Sequence, residues 1–264
     1  VDVGKSAELK RKYPSHEKIK AEGKVVIPGL INTHQHAAMS LLRGYADDYP
    51  LKEWLEKWIW PLEKCMTGHD IYVGALLTAV DSIMGGTTTV NTMYHYMKDG
   101  SEAEAFAKAG LRGVVGHVCF SWRKDEDRAA LRALAKDWHG KANGLIRVSV
   151  DPHAAYTVDP EYMRELRDIT EELNEKYGLP HSPIMLHIHV AETEDEAEKV
   201  RKAFNVSFKG SVVEYLDSLR VLGSNVIAAH CVSLSQKDIR ILKEKGVKVS
   251  HNPVSNLKLA SGVS

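Results

Sequence analysis

Histidines stand at the ends of several predicted strands, and their spacing is the feature of the sequence that bears most directly on chemistry. His34 and His36 are separated by one residue, and side chains two positions apart on a strand share a face. Further histidines close or follow three later apolar runs, at His153, His189 and His230. A single histidine of this kind is typical of an ordinary strand–loop junction, but imidazoles at several strand ends favour a divalent metal site.

One carboxylate and the cysteine content narrow the kind of metal chemistry. Glu192 lies three residues after His189, where it could act as general acid or base beside a metal-bound water. Its alternative role is that of an acidic residue near a helix N-terminus. The cysteines are far apart and form no C-x-x-C pair; they are Cys65, Cys119 and Cys231. Thiolate-ligated zinc is therefore disfavoured, and a reducing cytoplasm is the expected compartment. Mixed imidazole and carboxylate ligands suit Zn²⁺ or Fe²⁺ in a hydrolytic site.

The composition of the 264 residues indicates a folded domain and gives no reason to expect a nucleic-acid or membrane partner. Hydrophobic residues make up 44% of the chain, and 35 basic residues balance 35 acidic ones. A formal net charge of zero removes the usual electrostatic attraction to nucleic acids or anionic lipids. No apolar run approaches the roughly 20 residues that a membrane-spanning helix needs, and the first residues lack the apolar stretch of a secretory signal.

Short apolar runs alternate with helical patterns along the chain, which predicts an α/β fold with a parallel sheet. The predicted strands cover residues 25–32, 87–93, 113–119, 146–151, 184–190, 225–230 and 247–251. A dinucleotide-binding sheet should carry G-x-G-x-x-G after its first strand, but that turn reads Asn-Thr-His-Gln-His. The competing architecture is a (β/α)₈ barrel, whose site lies at the C-terminal strand ends. Because the chain opens without a methionine and shows seven predicted strands, we expect a fragment whose eighth strand would fall beyond Ser264.

Several segments resemble the amidohydrolase superfamily. They are PGLINTHQHAAMSLLRG at 28–44, WPLE at 60–63, GGTTT at 85–89, DPHAAY at 151–156, HVAET at 189–193 and HNPVSNLKLASG at 251–262. The branch they resemble contains 5′-methylthioadenosine/S-adenosylhomocysteine deaminases, with 5′-deoxyadenosine deaminases and triazine chlorohydrolases as relatives. The resemblance implies a metal-dependent (β/α)₈ TIM barrel over residues 24–264, with its C-terminal part missing. It also makes residues 1–23 a remnant of a small β-sandwich.

The resemblance assigns metal and catalytic roles to five of the residues above. His34, His36 and His189 would ligate the metal, expected to be Zn²⁺, with Fe²⁺ or another divalent ion as the alternative. Glu192 would contact the purine ring and carry a proton. His230 would position the water and stabilise charge at the attacked carbon.

The resemblance also assigns residues to substrate binding. His153 would touch the substrate near the ribose, and Glu63 matches the position that binds ribose hydroxyls. Without the resemblance, Glu63 would be interpreted as an ordinary helix-surface carboxylate. Arg128 matches an arginine that reaches a homocysteine carboxylate in some members. Where some members place another arginine after the third strand, this chain has His117, which leaves room for smaller 5′-substituents such as methylthio or hydrogen.

The function that the resemblance implies is hydrolytic deamination of a small-molecule purine nucleoside. A metal-activated water would attack C6, Glu192 would protonate ring N1, and ammonia would leave from 5′-methylthioadenosine, S-adenosylhomocysteine, 5′-deoxyadenosine or adenosine. One alternative is a chlorohydrolase or deaminase of another heteroaromatic ring, such as a triazine or guanine. Another is a non-catalytic barrel fragment, because the family's strand-eight aspartate ligand would follow Gly262 and has no counterpart in this chain. A homo-oligomer is compatible with either function.

Overall fold

Seven parallel strands form one sheet whose spatial order follows the chain order. The computed structural model describes residues 2–14, 17 and 19–264. The strands are β1 (Leu30–Gln35), β2 (Thr87–Tyr94), β3 (Arg112–Cys119), β4 (Ile146–Pro152), β5 (Met185–Val190), β6 (Val226–His230) and β7 (Lys248–Ser250). The hydroxyls of Thr33 and Ser250 lie 2.6 Å apart, so the edge strands β1 and β7 approach each other and the barrel is nearly closed. The predicted α/β barrel architecture is confirmed.

Helices connect successive strands, as is usual for crossovers between parallel strands. The connecting helices are α2 (Leu51–Glu53), α3 (Trp60–Glu63), α4 (Gly68–Met84), α5 (Glu102–Ala109), α6 (Lys124–Trp138), α7 (Pro160–Tyr177), α8 (Glu196–Phe204), α9 (Val212–Ser218) and α10 (Gln236–Lys245), with 3₁₀ helices at Ala37–Leu42 and Ser121–Arg123 and a π-helical stretch at Trp54–Ile59. Helix α1 (Ser6–Lys12) precedes β1, and α11 (Pro253–Lys258) follows β7. Side-chain caps stabilise several helix starts. The hydroxyls of Ser101 and Ser235 accept hydrogen bonds from the main-chain N–H groups of Glu104 and Asp238.

The first strand begins later than the sequence pattern predicts. The apolar run at 25–32 predicts a strand, but β1 begins at Leu30, whose N–H donates to the Gly86 carbonyl at 3.0 Å. Pro28 has no N–H to contribute to a ladder, and Val25 and Val26 are exposed. The strand continues to Gln35, so the predicted relation between strand end and histidines is retained.

The chain before β1 contains a helix. Helix α1 covers Ser6–Lys12, and the described residues among 1–23 include no strand. The assignment of 1–23 to a β-sandwich and the missing C-terminal part of the barrel stay predictions. Among the residues that the structure describes, no helix combines the length and the apolarity needed to cross a membrane.

The core lies between the sheet and the helices around it. The helices bury large side chains against the strands, among them Phe106 on α5, Leu131 on α6 and Tyr162 on α7, each at most 1% exposed. Strands β4 and β5 are each buried at all but one residue, as strands covered on both faces of a parallel sheet are. This packing fixes the positions of the C-terminal strand ends, which carry the histidines.

Candidate active site

Three histidines from two distant segments of the chain converge at the C-terminal strand ends. His34 lies in β1, His36 directly follows that strand, and His189 lies in β5. One ring nitrogen from each lies within 4.8 Å of the others. The His34 ring centroid is 5.0 Å from that of His36 and 4.9 Å from that of His189. Three imidazoles that converge in this way are a ligand set suited to a divalent metal such as Zn²⁺.

Hydrogen bonds behind these rings orient them for coordination. His36 Nδ1 donates to the Met93 carbonyl at 2.8 Å, and His189 Nδ1 donates to a main-chain carbonyl just past β4 at 2.6 Å. Because a carbonyl oxygen only accepts, a neutral ring in either place carries its hydrogen on Nδ1 and keeps the Nε2 lone pair free. His34 Nδ1 instead lies 2.9 Å from Nε2 of a fourth imidazole, His187. For His36 and His189, Nε2 is therefore the atom that remains for a metal, whereas the tautomer of His34 depends on His187.

Burial keeps the convergent imidazoles neutral. It lowers the pKa of His36 to about 4, although the hydrogen bond to the Met93 carbonyl opposes the shift. Burial, reinforced by the neighbouring imidazoles, also lowers the pKa of His34 and of His189 well below the ordinary value. Neutral imidazole is the form that binds metal, so these rings are in their ligating form at neutral pH.

Glu192 and His230 lie beside the histidine cluster and face each other. Glu192 follows β5 and is buried, and its Oε1 lies 3.6 Å from His230 Nε2. Desolvation raises the pKa of the Glu192 carboxyl, with His230 and Lys199 opposing the shift. The group therefore holds its proton to higher pH than an exposed glutamate does. His230 Nδ1 lies 2.9 Å from Asn256 Oδ1, an acceptor that leaves His230 Nε2 directed at Glu192.

The main chain next to these two residues is strained. Ala191, His230 and Cys231 have positive φ angles of 51°, 74° and 48°, although none of them is glycine. Such left-handed conformations cost roughly 1–3 kcal/mol each and cluster at functional sites. The turns that follow β5 and β6 thus hold Glu192 and His230 in place against a local backbone penalty.

A cavity of about 500 Å³ opens over the histidine cluster. Its lining includes Glu192, His230, His153 and Glu63 in addition to the three convergent histidines. Aromatic side chains form part of its wall, namely Trp54, Trp60, Tyr94, Phe120 and Tyr156. A cavity of this volume with apolar walls and a few polar groups is typical of a small-molecule site.

Glu63 belongs to the cavity wall rather than to a solvated helix face. It lies in α3, and desolvation raises the pKa of its carboxyl to about 7, with a hydrogen bond to Tyr94 opposing the shift. A freely solvated carboxylate keeps an ordinary pKa. The location of Glu63 therefore agrees with the resemblance and not with the helix-surface alternative.

The structure does not bring Arg128 to the cavity. Its guanidinium is held by both carboxylate oxygens of Glu165, at 2.6 and 2.7 Å, and by Asp125 at 2.6 Å. Neither Arg128 nor His117 is among the described residues that line the cavity. His117 is buried, with Nε2 3.0 Å from Asp127 Oδ1. The predicted contact between Arg128 and a substrate carboxylate has no counterpart in this arrangement, because the guanidinium is already paired on the outer helices.

The sequence assigns no role to two buried residues behind the histidine cluster. His187 contacts His34, and Asp151 lies 3.6 Å from His187. A sequence signal for His187 does exist, because it precedes His189 by two residues and so shares its face of β5. The depth at which His187 lies in the barrel is a tertiary property that this spacing does not indicate.

The chain forms an α/β barrel with a candidate metal site, the convergent histidines, at its C-terminal edge. The model of the amidohydrolase family matches residues 25–264, and the chain belongs to this family. The resemblance found in the sequence is therefore confirmed.

Two curated relatives and one solved structure illustrate the similarity. A 5′-deoxyadenosine deaminase from Methanothermobacter thermautotrophicus is 44% identical over 250 residues, which are 93% of this chain and 55% of that protein. A 5-methylthioadenosine/S-adenosylhomocysteine deaminase from Desulforamulus reducens is 40% identical over 264 residues, which are 99% of this chain and 58% of that protein. The crystal structure of an adenosine deaminase from Xanthomonas campestris with bound zinc has a TM-score of 0.75 at 32% identity, covering 89% of this chain and 52% of the other. The chain thus spans little more than half the length of the curated relatives it matches.

Proposed function

We propose that the protein containing this chain is a metal-dependent hydrolytic deaminase of adenosine-type nucleosides. The observation that carries the proposal is the convergence of three imidazoles beside the buried Glu192–His230 pair in one cavity. Family membership and the names of the two relatives support the same activity. The free cysteines are compatible with a reducing compartment such as the cytoplasm.

Zn²⁺ is the proposed metal, with Fe²⁺ as the alternative. Three neutral imidazoles are donors that zinc accepts in hydrolytic sites, and the similar adenosine deaminase has bound zinc. When bound, the ion supplies the nucleophile by lowering the pKa of a coordinated water toward neutrality.

Glu192 is the residue proposed to move protons. Its raised pKa suits a carboxyl that donates to ring N1 of the purine as the nucleophile attacks C6. The resulting carboxylate can accept a proton from the attacking water and pass it to the amino group, which leaves as ammonia. We propose that His230 Nε2, 3.6 Å from Glu192 Oε1, accepts a hydrogen bond from the water and orients it.

Glu63 and His153 line the same cavity and are proposed to bind the ribose. A site built to hydrogen-bond hydroxyls rejects analogues that lack them, so a nucleoside is preferred over a free base. Because Arg128 is paired with Glu165, substrates with an uncharged 5′-group, hydrogen or methylthio, are preferred over S-adenosylhomocysteine.

A spectrophotometric screen of the zinc-loaded, full-length gene product tests this function. Adenosine, 5′-methylthioadenosine, 5′-deoxyadenosine and S-adenosylhomocysteine are compared with adenine, guanine and a triazine. Conversion of an adenine ring to a hypoxanthine ring shifts the ultraviolet absorbance, so turnover is read directly. We expect the nucleosides with small 5′-groups to react fastest. Faster turnover of guanine or the triazine would favour the other heteroaromatic substrates, and no turnover at all would favour a non-catalytic barrel.

Glu63→Ala is expected to lower kcat/KM for 5′-deoxyadenosine by roughly 2–3 kcal/mol, or about 30- to 160-fold, because a charged hydrogen bond to the ribose is lost. The effect on adenine, which has no ribose, should be small. Glu53→Ala is the matched control, since Glu53 lies on the preceding helical turns, pairs with Lys57 at 2.8 Å and does not line the cavity. Unchanged nucleoside kinetics in Glu63→Ala would contradict ribose recognition by this residue.

The pH dependence of nucleoside binding should also report on Glu63. With a pKa of about 7, its carboxyl is neutral in acid and becomes a stronger acceptor as the pH rises, so KM should fall between about pH 6 and pH 8. The stability of the folded state should change with pH in the opposite direction to substrate affinity. Because the raised pKa means that folded Glu63 holds its proton more tightly, this group stabilises the folded state in acid. That contribution is lost as the pH rises through about 7. Glu63→Gln should flatten the KM profile; an unchanged profile would assign the titration to another group.

A further inference from the structure

A buried carboxylate lies behind the convergent histidines, separated from them by one imidazole. Asp151 on β4 and His187 on β5 are both fully buried, and Asp151 Oδ2 lies 3.6 Å from His187 Nδ1. His187 Nε2 in turn lies 2.9 Å from His34 Nδ1. Val150 pairs with Leu186 in the sheet, so the next residue on each strand, Asp151 and His187, lie side by side.

Asp151 fits into a space beside a glycine but makes no ordinary hydrogen bond with the part of the chain that the structure describes. Neither of its carboxylate oxygens has a hydrogen-bond partner among the described residues. A Cβ on Gly116 of β3 would lie 1.7 Å from Asp151 Oδ2, so the glycine leaves the space that the carboxylate occupies. Burying a carboxylate in this way is costly unless it is paired or hydrogen-bonded. Desolvation raises the pKa of Asp151, and the neighbouring His187 opposes this shift and favours the ionised form.

Another polar neighbour of His187 competes with this pair. Asn91 Nδ2 lies 3.4 Å from His187 Nδ1 and could donate to it, but its shorter hydrogen bond, at 2.9 Å, is to the Thr33 carbonyl. An ionised carboxylate is a stronger acceptor for a hydrogen on His187 Nδ1 than any neutral group nearby. We therefore place that hydrogen between His187 and Asp151.

The position of the hydrogen on His187 decides which nitrogen of His34 is free. His36 and His189 have their tautomers set by carbonyls, but His34 faces an imidazole, which can either donate or accept. Because Asp151 only accepts when ionised, the hydrogen stays on His187 Nδ1 and the lone pair stays on His187 Nε2. That lone pair accepts the hydrogen of His34 Nδ1, and His34 Nε2 is left free.

We propose that Asp151 and His187 are positioning residues that hold His34 in the tautomer and orientation required for metal binding. This inference rests on the metal site of the proposed function but does not depend on the substrate. Hydrogen-bond partners behind a metal ligand typically change metal affinity by about 10- to 100-fold.

Asp151→Asn tests the direction of the hydrogen bonds. The amide is nearly isosteric, but its NH₂ group donates to His187 Nδ1 and reverses both bonds, so that His34 carries its hydrogen on Nε2. The zinc affinity of the full-length protein, measured by competition with a chromophoric chelator, should fall about 10- to 100-fold. Asp127→Asn is the matched control, because Asp127 is equally buried and pairs with another histidine, His117 at 3.0 Å, outside the cluster. It should leave zinc affinity unchanged.

Substitutions of His187 provide a second test that does not require Asp151→Asn to fold. In His187→Gln the amide oxygen can accept the His34 Nδ1 hydrogen without help from Asp151, so zinc affinity should be largely retained. His187→Leu offers no acceptor and should lose about 10- to 100-fold in zinc affinity. Added to His187→Gln, Asp151→Asn should have no further effect, because the two residues then no longer act through one another.

Either of two results would overturn the proposal. One is wild-type zinc affinity in Asp151→Asn or in His187→Leu, with folding verified by far-ultraviolet circular dichroism. The other is an equal effect of Asp151→Asn with and without His187→Gln, which a merely structural role predicts. Failure of the unmodified protein to bind zinc would instead count against the proposed function, so the two failures are distinguishable.

Discussion

Glu192→Gln is expected to lower kcat for 5′-deoxyadenosine by about 10²- to 10⁴-fold, the usual contribution of a general acid–base group. Glu192 is buried, and desolvation raises the pKa of its carboxyl, which are properties of a group that holds and releases a proton. Glutamine has the same size but cannot move a proton between the water, ring N1 and the leaving amino group. Zinc content and fold should therefore be retained, as measured by metal analysis and circular dichroism beside steady-state kinetics.

The control for this experiment is Glu194→Gln. Glu194 lies two residues further along the same loop and is exposed, so its replacement should leave both kcat and zinc content unchanged. Loss of zinc from Glu192→Gln in proportion to the loss of activity would make Glu192 a ligand instead of a proton carrier. A wild-type kcat in Glu192→Gln would remove this residue from the chemistry.

The second large effect is expected from loss of a metal ligand. His36→Ala should weaken zinc binding by more than the roughly 100-fold that a change behind a ligand produces, because one of the three imidazole donors is removed. Activity should fall by about 10³-fold or more at zinc concentrations that saturate the unmodified protein, since the metal contributes several kcal/mol to the reaction. Zinc affinity and kcat are measured on the same samples, before and after dialysis against a chelator.

The matched control for His36→Ala is His69→Ala. His69 is exposed near the start of α4 and does not line the cavity, so zinc affinity and activity should both be retained. Added Zn²⁺ should restore activity to the chelated wild-type protein, whereas His36→Ala should stay inactive at the same Zn²⁺ concentration. Full activity in the chelated wild-type protein would contradict a metal-dependent reaction.

The arrangement of the three convergent histidines could be predicted from the sequence because it follows from strand geometry. The C-terminal ends of parallel strands share one edge of a sheet, and alternate side chains share a face. His34, His36 and His189 satisfy both conditions, and the structure brings them together. The pattern of residues 25–32 is less informative, because apolar residues predict a strand whether or not a neighbouring strand is present to pair with them. Val25 and Val26 are exposed and lie before the first residue of β1.

Other parts of the site depend on tertiary contacts that spacing does not encode. Glu63 reaches the cavity from a helix and not from a strand end, so only the resemblance identifies it. Arg128 matches the resemblance by position, yet Glu165, on another helix, holds it away from the cavity. The placement of Asp151 behind His187 depends on the register of β4 against β5 and on the space left by Gly116, neither of which could be derived from one sequence.

The most direct test of the central claim follows 5′-deoxyadenosine through one reaction in ¹⁸O-labelled water with the zinc-loaded, full-length protein. Hydrolytic deamination at this site predicts one ammonia released per substrate and one heavy oxygen in the 5′-deoxyinosine product, read by mass spectrometry. Glu192→Gln should give neither product at a comparable rate, although it retains zinc. Release of free adenine, or loss of the amino group without labelled oxygen in the purine ring, would contradict the proposed attack of water at C6.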